Sequence, residues 1–185
     1  MSFVNREAVY REIEGMFNHV MKTVGNIDLP AEWPRMPYAE AMRRFGSDKP
    51  DLRFGMELID LSDDLRDTDF APFTDTLTKG GEIKCIVVKG KGDYSRKQTD
   101  DLQEFVKRYG AGAMAWIKLG DETTSSLLKV LGEETIARLI STAGAERGDA
   151  VLIVAGRKSV VAAALGALRQ EVARREDLID RSKYE

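Results

Sequence analysis

Residues 82–89 read EIKCIVVK, and this run constrains the fold more than any other stretch of the chain. Cys85 and Val87 fall on one face of an extended segment, Ile86 and Val88 on the other, so both faces are apolar at its centre. A strand with that pattern belongs inside a sheet rather than at a solvated edge. Residues 113–119 (AMAWIKL) and 150–156 (AVLIVAG) supply a second and a third strand of the same core. Between them the period changes to that of helices. Residues 97–109 place Leu102, Phe105, Val106 and Tyr109 inward, with Gly110 as the stop. Glu133 or Glu134 opens a helix through Ile136, Leu139 and Ile140. A long helix over 158–175 carries Val161, Ala164, Leu165, Leu168 and Val172 on one face. The expected result is a mixed sheet with helices on one side, an α+β arrangement in two layers.

The first part of the chain reads differently. Asn5 can cap a helix and Glu7 places negative charge in its first turn. Val9, Ile13, Phe17, Val20 and Val24 then recur at helical spacing, so residues 5–24 form an amphipathic helix, with Met1–Val4 as the end of a strand. Pro30, Pro34 and Pro37 impose an extended segment in which Trp33 is an anchor. A short helix over 38–44 follows, ended by Gly46. Residues 52–60 (LRFGMELID) read as a strand, and 69–78 (DFAPFTDTLT) as a connector held down by Phe70 and Phe73.

Several functional classes drop out on composition. One cysteine, Cys85, gives neither an internal disulfide nor a thiolate metal cluster, and one histidine, His19, gives no histidine-rich zinc site. His19 stands beside the apolar stripe of the first helix and reads as a structural or surface residue. No apolar run approaches the roughly 20 residues of a membrane span, and the start of the chain is not a signal peptide. A cytoplasmic location is the expectation. The acidic group Asp60, Asp63, Asp64, Asp67 and Asp69 reads as a solvated loop or helix start rather than a magnesium site.

Two stretches remain as candidate sites. In the decapeptide Gly46–Gly55, GSDKPDLRFG, charge and proline crowd a helix-to-strand loop. Ser47, Asp48 and Lys49 supply a nucleophile, an acid and a base in sequence, but adjacent residues point apart and form no triad. The second stretch, Gly90-Lys91-Gly92 with Ser95-Arg96-Lys97, has the composition of a phosphate cradle without the spacing of a P-loop. Residues 79–118 hold nine Lys/Arg against five Asp/Glu, a local +4 on a chain whose net charge is -3. Such a basic face suits contact with an RNA backbone through Lys89, Lys91, Arg96 and Lys97, and suits equally a set of solvated surface cations.

PRMPYAEAMRRFGSDKPDLRFGMEL (34–58) resembles the segment after motif 2 of bacterial-type aspartyl-tRNA synthetase, a class II enzyme. SRKQTDDLQEFVKRYGAGAMAWIKL (95–119), GDAVLIVAG (148–156) and LGALRQEVARREDLID (165–180) resemble later parts of it in the same order. The second half resembles its GAD insertion, shared with a subunit of glutamyl-tRNA amidotransferases. Pro37 and Phe45 stand where threonine and tyrosine are usual, and Ala111-Gly112-Ala113-Met114 replaces AKGL. The resemblance implies a middle segment of the synthetase: residues 1–55 as part of the class II catalytic domain, and 56–185 as a GAD-type domain. Gly46, Ser47, Asp48, Lys49, Pro50, Asp51 and Arg53 would form the junction loop between them, near the active-site rim.

It further implies that the family's catalytic, ATP-binding and metal-binding residues fall on no position of this chain. ATP and Mg2+ would serve the full-length parent, which attaches L-aspartate to tRNA through aspartyl-adenylate and is expected to be a homodimer. The segment alone would be inactive, with the rest of the synthetase and tRNA as its partners. It would act as an accessory insertion, as a tRNA-contacting module, or as architecture only.

Overall fold

A computed structural model of the chain describes residues 4–183. It divides into two compact units, Met1–Pro37 and Tyr38–Glu185. In the first, α1 (Arg6–Gly25) starts where Asn5 accepts a hydrogen bond from the Ala8 amide at 2.8 Å and ends at Asn26 in a left-handed conformation. The proline-rich segment returns along this helix. Trp33 donates its indole N–H to Asn18 at 3.1 Å and lies 5.7 Å from the Phe17 ring. Arg35 pairs with Glu7 and Glu14 and stacks over Tyr10. No residue of α1 is buried, and His19 is exposed. The strand end expected at Met1–Val4 lies outside the described residues except for Val4, which has no regular structure.

The second unit is α2 (Tyr38–Phe45), β1 (Ile59–Asp60), α3 (Ala71–Thr78), β2 (Glu82–Val88), α4 (Arg96–Lys107), β3 (Ala115–Leu119), β4 (Thr123–Ser125), α5 (Leu128–Ala143, kinked at Gly132), β5 (Ala150–Gly156) and α6 (Lys158–Arg175). The five strands form one sheet in the order β1-β2-β5-β3-β4. The α+β class and the inner position of 82–88 agree with the sequence. Two details do not. The sheet is antiparallel at every pairing rather than mixed. β2 and β3, joined through α4, run the same way. β5 inserts between them and opposes both.

Helices also cover both faces, not one. Ile86, Val88, Leu152 and Val154 face Leu102 and Val106 of α4 and Val161, Leu165 and Leu168 of α6. Ile83, Cys85, Ile117, Val151 and Ile153 face Phe73 of α3, Ile136 and Leu139 of α5, and Leu61 and Leu65 before α3. Each fully buried aliphatic side chain contributes about 1.5–3 kcal/mol by leaving water, so apolar strands covered on both faces are the centre of stability. Burial pushes the Cys85 thiol up to about 12, so it is a core residue and not a nucleophile.

Two local expectations also change. Residues 71–78 form a helix, started with Pro72 in its first turn, where a proline lacking its N–H is tolerated. Of 52–60 only Ile59–Asp60 is strand, because Gly55 and Met56 turn to φ +64° and +58° and break the extended run.

Candidate functional site

The loop after α2 is shaped by contact between backbones. Gly46 has φ +67°, and a Cβ there would stand 2.2 Å from the carbonyl oxygen of Ala162. A Cβ on Gly166 would in turn stand 2.7 Å from the Gly46 carbonyl. Two glycines therefore bring the end of α2 against α6 with nothing between. Beyond Gly46, the Ser47 hydroxyl accepts from the Lys49 amide at 3.2 Å, and the Asp51 carboxylate accepts from the Arg53 backbone and guanidinium at 2.7–3.0 Å. Pro50 is half-buried, while Asp48 and Lys49 are exposed.

Arg169 holds this loop. It lies on α6 among Leu165, Leu168 and Val172 and is 0% exposed. Its guanidinium donates to the backbone carbonyls of Asp51 (2.9 Å), Gly55 (2.6 Å) and Met56 (3.1 Å). It also lies 4.9 Å from the Phe45 ring centroid and 4.4 Å from that of Phe54. A planar fork of donors suits carbonyls that converge from one bend, and its faces suit aromatic rings. The left-handed Gly55 and Met56 turn those carbonyls inward. Sequence reading passed over Arg169, although a charged residue inside the apolar stripe of α6 was a visible signal.

The four cations proposed for RNA separate into two kinds. Lys89 bonds the Asp149 carboxylate at 2.8 Å, and the amides of Gly90 and Glu146 donate to the same carboxylate at 3.0 and 2.9 Å. Burial would raise the Asp149 carboxyl, but these donors outweigh it and hold it below the ordinary range. Lys91 pairs with Glu176, which also accepts from the Tyr94 hydroxyl at 3.0 Å. Arg96 and Lys97 instead project from the first turn of α4, whose Ser95–Gln98 capping box satisfies the helix end. Arg96 is 95% exposed and 3.8 Å from Asp100, and Lys97 is exposed.

The glycine turn borders a cleft of about 500 Å³ lined by Gly90, Gly92, Gly120 and Gly148 with Asp93, Asp121 and Arg147. The Gly90 amide is engaged with Asp149 and the Gly92 amide with the Gly148 carbonyl at 2.6 Å. Neither amide is free to cradle a phosphate, and two carboxylates, Asp93 and Asp121, are in the lining. Among the described residues no three His, Cys, Asp or Glu side chains converge on a point that would hold a metal ion. Asp60 caps the Ser62 amide, Asp63 pairs with Arg66, and Asp64 with Arg138. No helix of the described residues is long and apolar enough to cross a membrane.

The model of the GAD domain family matches residues 73–165, which run from α3 to the middle of α6. Over its whole length the chain is similar to a segment of bacterial aspartate–tRNA ligases. It is 48% identical over 186 residues to the aspartate–tRNA(Asp/Asn) ligase of Caldanaerobacter subterraneus subsp. tengcongensis, covering 100% of this chain and 31% of that protein. It is 48% identical over 185 residues to the aspartate–tRNA ligases of Staphylococcus saprophyticus and of Staphylococcus aureus strain Newman, covering 99% of this chain and 32% of each. The chain thus spans about a third of the length of the curated relatives it matches.

Proposed function

Because this chain belongs to the GAD domain family, we propose that it is the accessory segment of an aspartate–tRNA ligase, joined to the catalytic part through the loop Gly46–Gly55. The observation that carries this reading is the identity of 48% to such ligases along the full chain. The clamped loop supports it. A segment inserted near an active-site rim needs a junction that keeps its direction, and Arg169 fixes that loop by three hydrogen bonds and two ring contacts. ATP and Mg2+ act in the complete ligase, which attaches L-aspartate to tRNA in the cytoplasm as a homodimer. Its remaining domains and the tRNA are the partners of this segment.

The reading makes the isolated chain inactive. Aspartate-dependent ATP–pyrophosphate exchange by the purified chain should match a protein-free blank, and exchange above that blank overturns the reading.

A second reading, direct contact with the tRNA backbone, is favoured by the exposure of Arg96 and Lys97 at the start of α4. Their neutralisation should then lower both the affinity for tRNA and its dependence on salt. Lys89 and Lys91 serve this reading less well, since each is already matched by a carboxylate.

A further inference from the structure

A groove of about 350 Å³ opens between α4, α6 and the loop at Asp51–Phe54. Phe54, Phe105, Tyr109 and Ile179 line it, together with the polar side chains of Asp51, Gln170, Glu171 and Arg174. Phe105 and Tyr109 lie 5.3 Å apart between centroids and are tilted by 45°. Tyr109 is 42% exposed, although its place in the helical pattern made it a core residue by sequence. Phe54 is held from behind by the buried Arg169, at 4.4 Å from its ring, and Arg169 also fixes the Asp51 carbonyl at 2.9 Å. The wall is therefore set before any ligand arrives.

We propose that this groove takes one unpaired base of an RNA strand, stacked on Tyr109 and Phe105, with the Gln170 amide at the base edge and Arg174 toward the phosphate. The proposal rests on the reading above, from which the RNA comes, and adds a site on a different part of the domain from Arg96 and Lys97.

The chemistry favours a base over an apolar peptide side chain. The walls are flat π surfaces, and single-stranded RNA is recognised by stacking unpaired bases on aromatic rings. The lining carries a planar amide, which can donate and accept, and a guanidinium, which suits a phosphate. An apolar side chain would leave both without a use. The two carboxylates in the lining are matched by arginines: Asp51 by Arg53, and Glu171 by Arg174 and Arg175. Glu171 holds Arg174 by three hydrogen bonds at 2.9–3.1 Å, which orients a guanidinium that is still 69% exposed beside the groove. A duplex cannot use the groove, because its bases are stacked on one another.

The test is fluorescence anisotropy of the 185-residue chain with a fluorescein-labelled decaribonucleotide of mixed sequence, single-stranded and as a duplex. The single strand should bind more tightly than the duplex. Tyr109→Ala should weaken that binding roughly tenfold to a hundredfold, Tyr109→Trp should retain it, and Arg174→Gln should lower the salt slope by about one. Tyr109 lies beyond the end of α4 and is exposed, so its truncation leaves the core intact. Equal affinities of Tyr109→Ala and the parent chain overturn the proposal, as does equal binding of single strand and duplex. Aromatic NMR shifts of Phe105 and Tyr109 should follow the oligonucleotide. Shifts produced only by a tryptophan-containing peptide would give the groove to a protein partner and overturn it too. Pyrophosphate exchange would sink the accessory reading without touching the groove, and an unchanged Tyr109→Ala would sink the groove without touching that reading.

Discussion

Replacing Arg169 with methionine removes the clamp while keeping most of the side-chain volume. The guanidinium makes three hydrogen bonds to carbonyls. Bonds to a charged group contribute about 1.5–3 kcal/mol each, so their simple total is about 4.5–9 kcal/mol. Two effects reduce it. Taking away a buried charge returns part of its desolvation cost, and the left-handed Met56, which costs roughly 1–2 kcal/mol to hold, is free to relax. The expected net loss is about 3–5 kcal/mol. At about 2–4 °C per kcal/mol for a chain of this size, the melting temperature falls by roughly 6–20 °C. Circular dichroism melts and urea titrations measure it, and amide exchange over residues 51–56 locates it. Arg169→Lys should fall between methionine and the parent, because one ammonium cannot span three carbonyls in the way a fork does. A loss below about 1 kcal/mol for Arg169→Met would refute the clamp.

Gly46→Ala should cost about 2–5 kcal/mol in urea unfolding, the sum of a left-handed residue and an overpacked contact at a Cβ 2.2 Å from the Ala162 carbonyl oxygen. Asp149 sets an acid limit. Its carboxyl is depressed in the folded state, so its contribution is complete above the unfolded value of about 3.9 and is lost as pH falls through the lower folded value. Asp149→Asn should therefore destabilise the chain at pH 7 by about 1–2 kcal/mol and flatten the fall in stability below about pH 4, both read from melts across pH. Neutralising Arg96 and Lys97 to glutamine should leave stability within about 0.5 kcal/mol, whereas Lys89→Gln and Lys91→Gln should each lower it, since these two lysines hold Asp149 and Glu176.

The elements were largely legible because their signals were local. α1, α4, β2, β5 and α6 follow from period, caps and terminal glycines, and α6 has the bounds the apolar stripe gave it. The arrangement was less legible because it depends on pairing between distant strands. β5 enters between β2 and β3 from far along the chain, and nothing in the local pattern of 150–156 states which neighbours it takes. The second layer of helices was nonetheless implied. A strand apolar on both faces needs cover on both, and α3 and α5 supply the side that was not expected. The break at Gly55–Met56 escaped notice because Met56 gives no sign of a left-handed backbone; the bend belongs to Arg169, more than a hundred residues away. At the candidate site, composition found the cations but not their partners. Asp149 and Glu176 engage Lys89 and Lys91 from other parts of the chain, and only the fold brings these charges together.

The most direct measurement of the central proposal is aspartylation by a hybrid. The segment of the Staphylococcus aureus ligase that aligns with this chain, 48% identical over 185 residues, would be replaced by the chain itself, and kcat/KM for aspartyl-tRNA formation compared with the parent ligase. An accessory segment of such a ligase predicts a folded hybrid with kcat/KM within about tenfold of the parent, a barrier change of at most about 1.4 kcal/mol. A folded, dimeric hybrid that forms no aspartyl-tRNA would contradict it.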